Sequence, residues 1–242
     1  MPAEGVCKHD TNSHSPAGGW LIAFMPERAI VLSNGEIGEP ELLKARLEGW
    51  KDALVIGADA GSLHALSLGL TVNVVVGDFD SLDGPTGNLL KSPGIHIERA
   101  PAEKDETDLE LALLHAVRRG AAQVAVLGAF GGRIDMTLAN VLLLAHPDLT
   151  GARIELWHGA QTVWLLRPPG GEIAGRSGDT ISLIPLAGDV TSITTHRLAY
   201  ELRGGTLRFG PARGISNVMQ DSTAQVAFRQ GLLLVIHTPG KA

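Results

Sequence analysis

Val72-Asn73-Val74-Val75-Val76-Gly77-Asp78-Phe79-Asp80-Ser81 is the most informative stretch of this chain: a β-branched run, a glycine, then two carboxylates two residues apart. A short continuous apolar run has the character of a strand buried on both faces, as in a parallel sheet covered by helices. Residues i and i+2 of extended backbone point the same way, so Asp78 and Asp80 can converge on one hard cation. The C-terminal end of a parallel strand is also where open α/β sheets place ligands. Taken alone, an Asp-x-Asp is equally well explained by capping of the following turn, so its neighbours must decide.

Outward from this run, apolar segments alternate with segments of helical period. Strands are predicted at Ala29–Ser33, Ala53–Ala58, Val72–Val76, His96–Arg99 and Val124–Leu127, and helices at Glu39–Trp50 and Leu109–Val117. That alternation predicts a mostly parallel α/β sheet. Beyond about Ala152 the character changes. Short β-prone runs (Arg153–Trp157, Thr162–Leu166, Thr180–Pro185, Val190–Thr195, Gln225–Arg229, Leu232–Ile236) are separated by turn clusters such as Pro168-Pro169-Gly170-Gly171 and Gly204-Gly205. Antiparallel strands at this spacing predict a β-sandwich. The expected organisation is a disordered tail over residues 1–28, an α/β domain over 29–151 and an all-β sandwich over 152–242.

Composition narrows the function. With 242 residues, 44% of them apolar, the chain is long enough for one or two cores. A net charge of −6 and the lack of a Lys/Arg cluster argue against nucleic acid or an anionic membrane as partner. No apolar run reaches the ~20 residues of a membrane helix. The first residues, rich in Gly, Ser, His and Pro, lack the cationic start and apolar centre of a signal peptide. Cys7 is the only cysteine, which excludes an internal disulfide and a thiolate metal cage and fits a cytoplasmic protein.

Two further clusters carry chemistry. Lys104-Asp105-Glu106-Thr107-Asp108-Leu109-Glu110 opens the second predicted helix, and Thr107 with Glu110 matches a capping box. Capping does not account for a lysine and two aspartates in five residues, whereas metal-bound phosphate chemistry uses both signs of charge. Gly128-Ala129-Phe130-Gly131-Gly132-Arg133-Ile134-Asp135-Met136-Thr137-Leu138-Ala139-Asn140 follows a strand and leads into a helix; its glycines let backbone approach a ligand, with Arg133 and Asp135 at the helix entrance. The structural alternative there is a turn with an Arg–Asp surface pair. Gly57-Ala58-Asp59-Ala60-Gly61 places one aspartate among small residues after a strand, which by itself reads as a helix cap. The P-loop, the dinucleotide fingerprint, the nucleophile elbow and the His-Glu-x-x-His zinc motif are all missing.

The order of these pieces is more specific than any one of them. Ser33-Asn34-Gly35-Glu36, Gly57-Ala58-Asp59-Ala60-Gly61, Val76-Gly77-Asp78-Phe79-Asp80-Ser81-Leu82, Lys104 to Glu110 and Gly131-Gly132-Arg133-Ile134-Asp135 together resemble the thiamine pyrophosphokinase family. The resemblance continues through Gly178-Asp179-Thr180-Ile181-Ser182-Leu183-Ile184-Pro185-Leu186, Thr206-Leu207-Arg208-Phe209-Gly210 and Gly214-Ile215-Ser216-Asn217, and covers about Ala29 to Ile236. It implies a homodimer with sites shared between subunits, and Mg²⁺-dependent transfer of pyrophosphate from ATP to thiamine, giving thiamine diphosphate and AMP. Asp59, Asp78, Asp80 and Asp108 fall on the family's catalytic acidic positions, with Asp78, Asp80, Asp105 and Asp108 as the implied metal ligands. Ser81, Lys104, Asp105, Thr107 and Arg133 fall on the nucleotide side, and Asp135, Tyr200 and Ser216 map to the thiamine pocket. Met136 stands where bacterial members commonly carry histidine. A pyrophosphohydrolase or a non-catalytic thiamine or nucleotide sensor are the rival readings of the same acids.

Overall fold

The computed structural model describes residues 26–79, 85–101 and 103–240. Most of the expected tail, together with Asp80 and Ser81, lies outside these residues. Five strands, β1 (Arg28–Leu32), β2 (Leu54–Ala58), β3 (Val74–Gly77), β4 (His96–Arg99) and β5 (Gln123–Leu127), alternate with helices α1 (Pro40–Leu47), α2 (His64–Leu68), α3 (Pro85–Leu90) and α4 (Asp108–Arg118). Helix α5 (Ile134–Leu143) then leads to the strands β6 (Arg153–His158), β7 (Gln161–Leu166), β8 (Gly170–Ala174), β9 (Thr180–Pro185) and β10 (Val190–His196). The last strands are β11 (Gly205–Leu207), β12 (Asn217–Val218), β13 (Thr223–Ala227) and β14 (Leu233–Thr238).

The predicted fold class holds: a mostly parallel sheet with helices, followed by antiparallel strands in a sandwich-like arrangement. Period-two alternation builds the first layers. Ala29, Val31, Leu54 and Ile56 face one core, which Leu109, Ala112, Leu113 and Ala116 of α4 complete. Their neighbours Ile30, Leu32 and Val55 face the opposite core, closed by Leu43 and Leu47 of α1 and by Ala65 and Leu68 of α2. Each fully buried leucine in these layers contributes about 1.5–3 kcal/mol.

One strand differs from its expected place. Arg153–Trp157, read from sequence as the first strand of the sandwich, lies within β6, which pairs parallel to β5 from Gln123↔Arg153 to Leu127↔Trp157. The direction of a pairing leaves no mark on the periodicity of a single strand, so only the fold could assign it. The β6–β7 hairpin then reverses the chain, and β7, β14, β9 and β12 extend the sheet antiparallel, in the order β12-β9-β14-β7-β6-β5-β1-β2-β3-β4. Alternation continues through this extension: Val163 and Leu234 face the α4 core, while Trp164, Leu166, Leu233 and Val235 face a third core. That third core is closed by a four-stranded sheet of order β11-β10-β13-β8 through Ile173, Val190, Ile193, Leu207 and Val226. Strand β8 absorbs part of the Pro168–Gly171 cluster read as a turn.

Candidate functional site

Strand order reverses at β1, with β2 on one side of it and β5 on the other. At such a reversal the loops leaving two neighbouring strands splay apart and open a crevice beyond their carboxyl ends. A cavity of about 440 Å³ lies there, lined by the loops after β1, β2 and β5 and by the start of α4. The β1 and β5 loops are zipped together by backbone: the Ser33 amide donates to Leu127 O at 2.8 Å, Gly35 N to Gly128 O at 2.8 Å and Glu36 N to Phe130 O at 2.7 Å. Only glycine fits this seam. A Cβ on Gly35 would meet Phe130 O at 2.3 Å, and one on Gly128, whose φ is +73°, would meet Ser33 O at 2.1 Å.

Among the sequence-derived candidates, the structure brings Asp59, Asp108 and Arg133 to this cavity, where Glu36, Met136 and Asn140 join them. Asp59 opens the turn out of β2 with φ +45°, a left-handed backbone uncommon for a residue with a side chain. Such strain persists where surrounding structure over-determines it, commonly at functional sites. Its side chain packs on the end of the neighbouring strand, for a Cβ on Gly77 would stand 3.1 Å from Asp59 Cβ and 3.4 Å from Asp59 Oδ1. Asp78 follows Gly77 directly at the end of β3, the strand paired parallel to β2, but is not among the residues that line the cavity. Phe79, also at positive φ (+55°), is 3% exposed and lies under the Arg99 guanidinium, 5.4 Å from its ring centroid, which anchors the backbone just after Asp78.

Asp108 is delivered by α4. Thr107 caps the helix, its hydroxyl accepting from the Glu110 amide at 3.2 Å, as the sequence predicted. Lys104, whose side chain is largely buried, forms an ion pair with Asp108. Lysine and acid therefore meet at the cavity wall, while Asp105 beside them is exposed. Arg133 and Asp135 pair with each other at the entrance to α5, Arg133 Nε donating to Asp135 Oδ1 at 3.1 Å. That hydrogen bond, with a second from the Met136 amide, holds the Asp135 carboxyl below its ordinary range and raises Arg133 above its own.

Tyr200 and Ser216 do not line this cavity. Tyr200, 73% exposed, stands at a separate recess of about 170 Å³ with Leu183, Arg213 and Ile215. Ser216 adjoins it at φ +57°, its amide donating to Ser182 Oγ at 3.1 Å. Sequence reasoning gave no role to Asn217. Its side chain accepts from the Tyr200 amide at 3.0 Å and donates to the Tyr200 carbonyl at 2.8 Å, fixing the tyrosine backbone. Glu36 and Asn140 were likewise quoted in motifs without a role. Their signal was present only as polar residues inside glycine-rich stretches.

The cavity can hold an anion only with added positive charge. Among the described residues Glu36, Asp59 and Asp108 line it together with Arg133, and Lys104 is already paired with Asp108. Among the described residues no three His, Cys, Asp or Glu side chains are gathered as a cation cage. A pair of neighbouring carboxylates nonetheless suits magnesium, which is commonly held by one or two carboxylates and completes its shell with water and phosphate oxygens.

Comparison with known proteins agrees with this architecture. Residues 47–156 match the family model described as thiamin pyrophosphokinase, catalytic domain, and residues 172–233 match thiamin pyrophosphokinase, vitamin B1 binding domain. The chain is 30% identical over 206 residues to a thiamine pyrophosphokinase of Bacillus subtilis, covering 83% of this chain and 95% of that one. The crystal structure of the thiamine pyrophosphokinase from Bacillus subtilis superposes with a TM-score of 0.77 at 27% identity, over 88% of this chain and 99% of the other. A thiamin pyrophosphokinase family protein from Enterococcus faecalis superposes with a TM-score of 0.72 at 28% identity, over 88% and 100%.

Proposed function

This chain belongs to the thiamine pyrophosphokinase family and is an enzyme that transfers a pyrophosphoryl group to thiamine, and on that premise we propose that the cavity between the β1 and β5 loops holds the donor nucleotide, ATP. The observation that carries this reading is the meeting of Asp59, Asp108 and the glycine-rich 131–133 turn, from three separate loops, at the carboxyl edge of the parallel strands. The catalytic part then spans 29–151, and the part from 152 onward supplies the thiamine side through Tyr200 and Ser216, with Asp135 contributed from α5.

In this reaction the thiamine hydroxyl oxygen bonds to the β-phosphorus of ATP. The bond from that phosphorus to the oxygen bridging to the α-phosphate breaks, and AMP leaves with the electron pair. Positioning and charge neutralisation carry most of such a transfer. Asp78, Asp80, Asp105 and Asp108 would hold magnesium, with Asp59 as the further acid of the group. Bound magnesium supplies neutralisation of the phosphate charge. Lys104 holds Asp108 in place and adds positive charge at the wall, Arg133 presents its guanidinium at the rim, and the glycine-rich turn lets backbone amides approach the phosphates, with Ser81 and Thr107 on the same side. One of the aspartates accepts the proton of the thiamine hydroxyl. Tyr200 offers an aromatic face to the cationic thiazolium, favourable by about 0.5–2 kcal/mol.

Two features favour a homodimer with shared sites. Tyr200 and the acid-lined cavity occupy separate recesses of one chain. Ile134, Leu138 and Leu142 also form an exposed apolar stripe at helical spacing along α5, beginning next to Arg133. A single cysteine fits residence in a reducing cytoplasm, and among the described residues no helix is long and apolar enough to cross a membrane. Incubation with ATP, Mg²⁺ and thiamine should yield AMP and thiamine diphosphate in equal amounts. Phosphate or pyrophosphate released without thiamine would instead indicate a pyrophosphohydrolase, and binding without turnover a sensor.

A further inference from the structure

Asn140 is the one polar residue of the cavity lining whose side chain is both buried and incompletely paired among the described residues. It sits on α5 at 4% exposure and lines the cavity behind the glycine-rich turn. Its Nδ2 donates to the Ala129 carbonyl at 2.8 Å, within the loop that follows β5. A carbonyl can only accept, so this bond fixes which end of the amide is nitrogen and leaves Oδ1 as the other end. Oδ1 is buried and has no hydrogen-bond partner among the described residues. Buried acceptors are rarely left so, because the lost hydration is not regained.

We propose that Asn140 is a specificity-determining residue that reads, through Oδ1, a hydrogen-bond donor on the nucleoside of the bound nucleotide. The inference rests on the assignment of the cavity to the nucleotide. Phosphate oxygens are acceptors and cannot satisfy Oδ1, which excludes the triphosphate from this position. The nucleoside offers two kinds of donor, the exocyclic amino group of the base and the ribose hydroxyls. Thiamine also carries donors, but Asn140 is bonded to the β5 loop and lines the cavity assigned above to the nucleotide, apart from the Tyr200 recess.

Direct binding of AMP, purine riboside 5′-monophosphate, 2′-deoxy-AMP and 3′-deoxy-AMP to the full chain, followed by calorimetry, tests this without turnover. The wild-type protein should bind one analogue, the one lacking the donor that Oδ1 reads, at least about tenfold more weakly than AMP, since a site built around a hydrogen bond rejects a ligand that leaves it unmade. Loss with the purine riboside identifies the base amino group; loss with a deoxy analogue identifies the ribose. Asn140→Ser and Asn140→Ala, checked for folding by thermal melting, should bind AMP and that analogue within about twofold of each other. Equal binding of all four ligands by the wild-type chain would overturn the inference even if neither variant folds. So would discrimination that survives in the variants, or a rise in thiamine KM with nucleotide discrimination unchanged. Failure of the wild-type chain to bind AMP at all would remove the nucleotide assignment of the cavity together with this inference, whereas AMP binding without discrimination removes this inference alone.

Discussion

Single residues here divide into those at the proposed site and those that hold the fold, and motif membership does not separate them. Asp59 and Asp78 follow the ends of two neighbouring parallel strands, whereas Asp108 opens α4 and pairs with the largely buried Lys104. Asp78→Asn and Asp108→Asn are each expected to lower kcat by at least about 100-fold, and Asp108→Asn should also lower the melting temperature, because it leaves the largely buried Lys104 ammonium without its carboxylate. Unchanged turnover at saturating Mg²⁺ would refute the metal assignment. Asp179 belongs to an equally distinctive motif, Gly178-Asp179-Thr180, yet its surroundings are structural. Buried at 5% exposure, it accepts from the Gly240 amide, His237 Nε2 and the Arg176 amide, each at 2.8 Å, and so ties β14 to the turn before β9. Burial alone would raise this carboxyl, but the three hydrogen bonds prevail and hold it below its ordinary value. A depressed carboxyl stabilises the fold fully above the unfolded pKa of about 3.9, and that contribution fades as pH falls through the lower folded value. Asp179→Ala should therefore cost about 2–3 kcal/mol near neutral pH. In urea melts the gap between variant and wild type should narrow below about pH 4; a gap independent of pH would disprove the role of the charge.

Among the elements, α4 shows how propensity and packing agree. Thr107 caps it, acids stand in its first turn, and Leu109, Ala112, Leu113 and Ala116 form the buried face. Thr107→Ala should cost about 1 kcal/mol, or roughly 2–4 °C in melting temperature for a chain of this size. Because the cap also positions Asp108, kcat should fall with it; a lower melting temperature with unchanged kcat would confine Thr107 to the cap. Strand β6 is the opposite case. Its residues announce a strand but not its partner, and its parallel pairing with β5 emerges only from the assembled sheet.

At the scale of the whole molecule, the proposed site joins two recesses that lie apart within one chain, the acid-lined cavity and the Tyr200 recess. In a two-fold dimer, the cavity of one chain and the Tyr200 recess of its partner can form one site, twice over. Mixing Asp78→Asn chains with chains carrying a disabling Tyr200 substitution should then recover about one quarter of all sites, because half of randomly paired dimers are mixed and each holds one undamaged site. Activity no higher than the mean of the two parents, in a sample shown to contain heterodimer, would rule out sharing. The α5 stripe has a test of its own. Leu138, 60% exposed, replaced by Asp should shift sedimentation toward monomer without lowering the melting temperature by more than a few degrees, if that stripe lies in the interface.

By itself the sequence determined the two-part character of the chain, because burial on both faces and burial on one face write different patterns along a strand. Through the resemblance it also points to Asp59, Asp78, Asp80 and Asp108 as candidate acids, of which Asp59 and Asp108 line one cavity. Tertiary structure alone decided that the parallel sheet runs on into the antiparallel one through β6 and β7, since hydrogen-bond partners are not encoded in any local period. It decided, too, that Asp179 is a tie rather than a ligand and that Asn140 keeps a buried oxygen without a partner. Both distinctions depend on what surrounds a side chain from distant parts of the chain, and a linear sequence carries no distances.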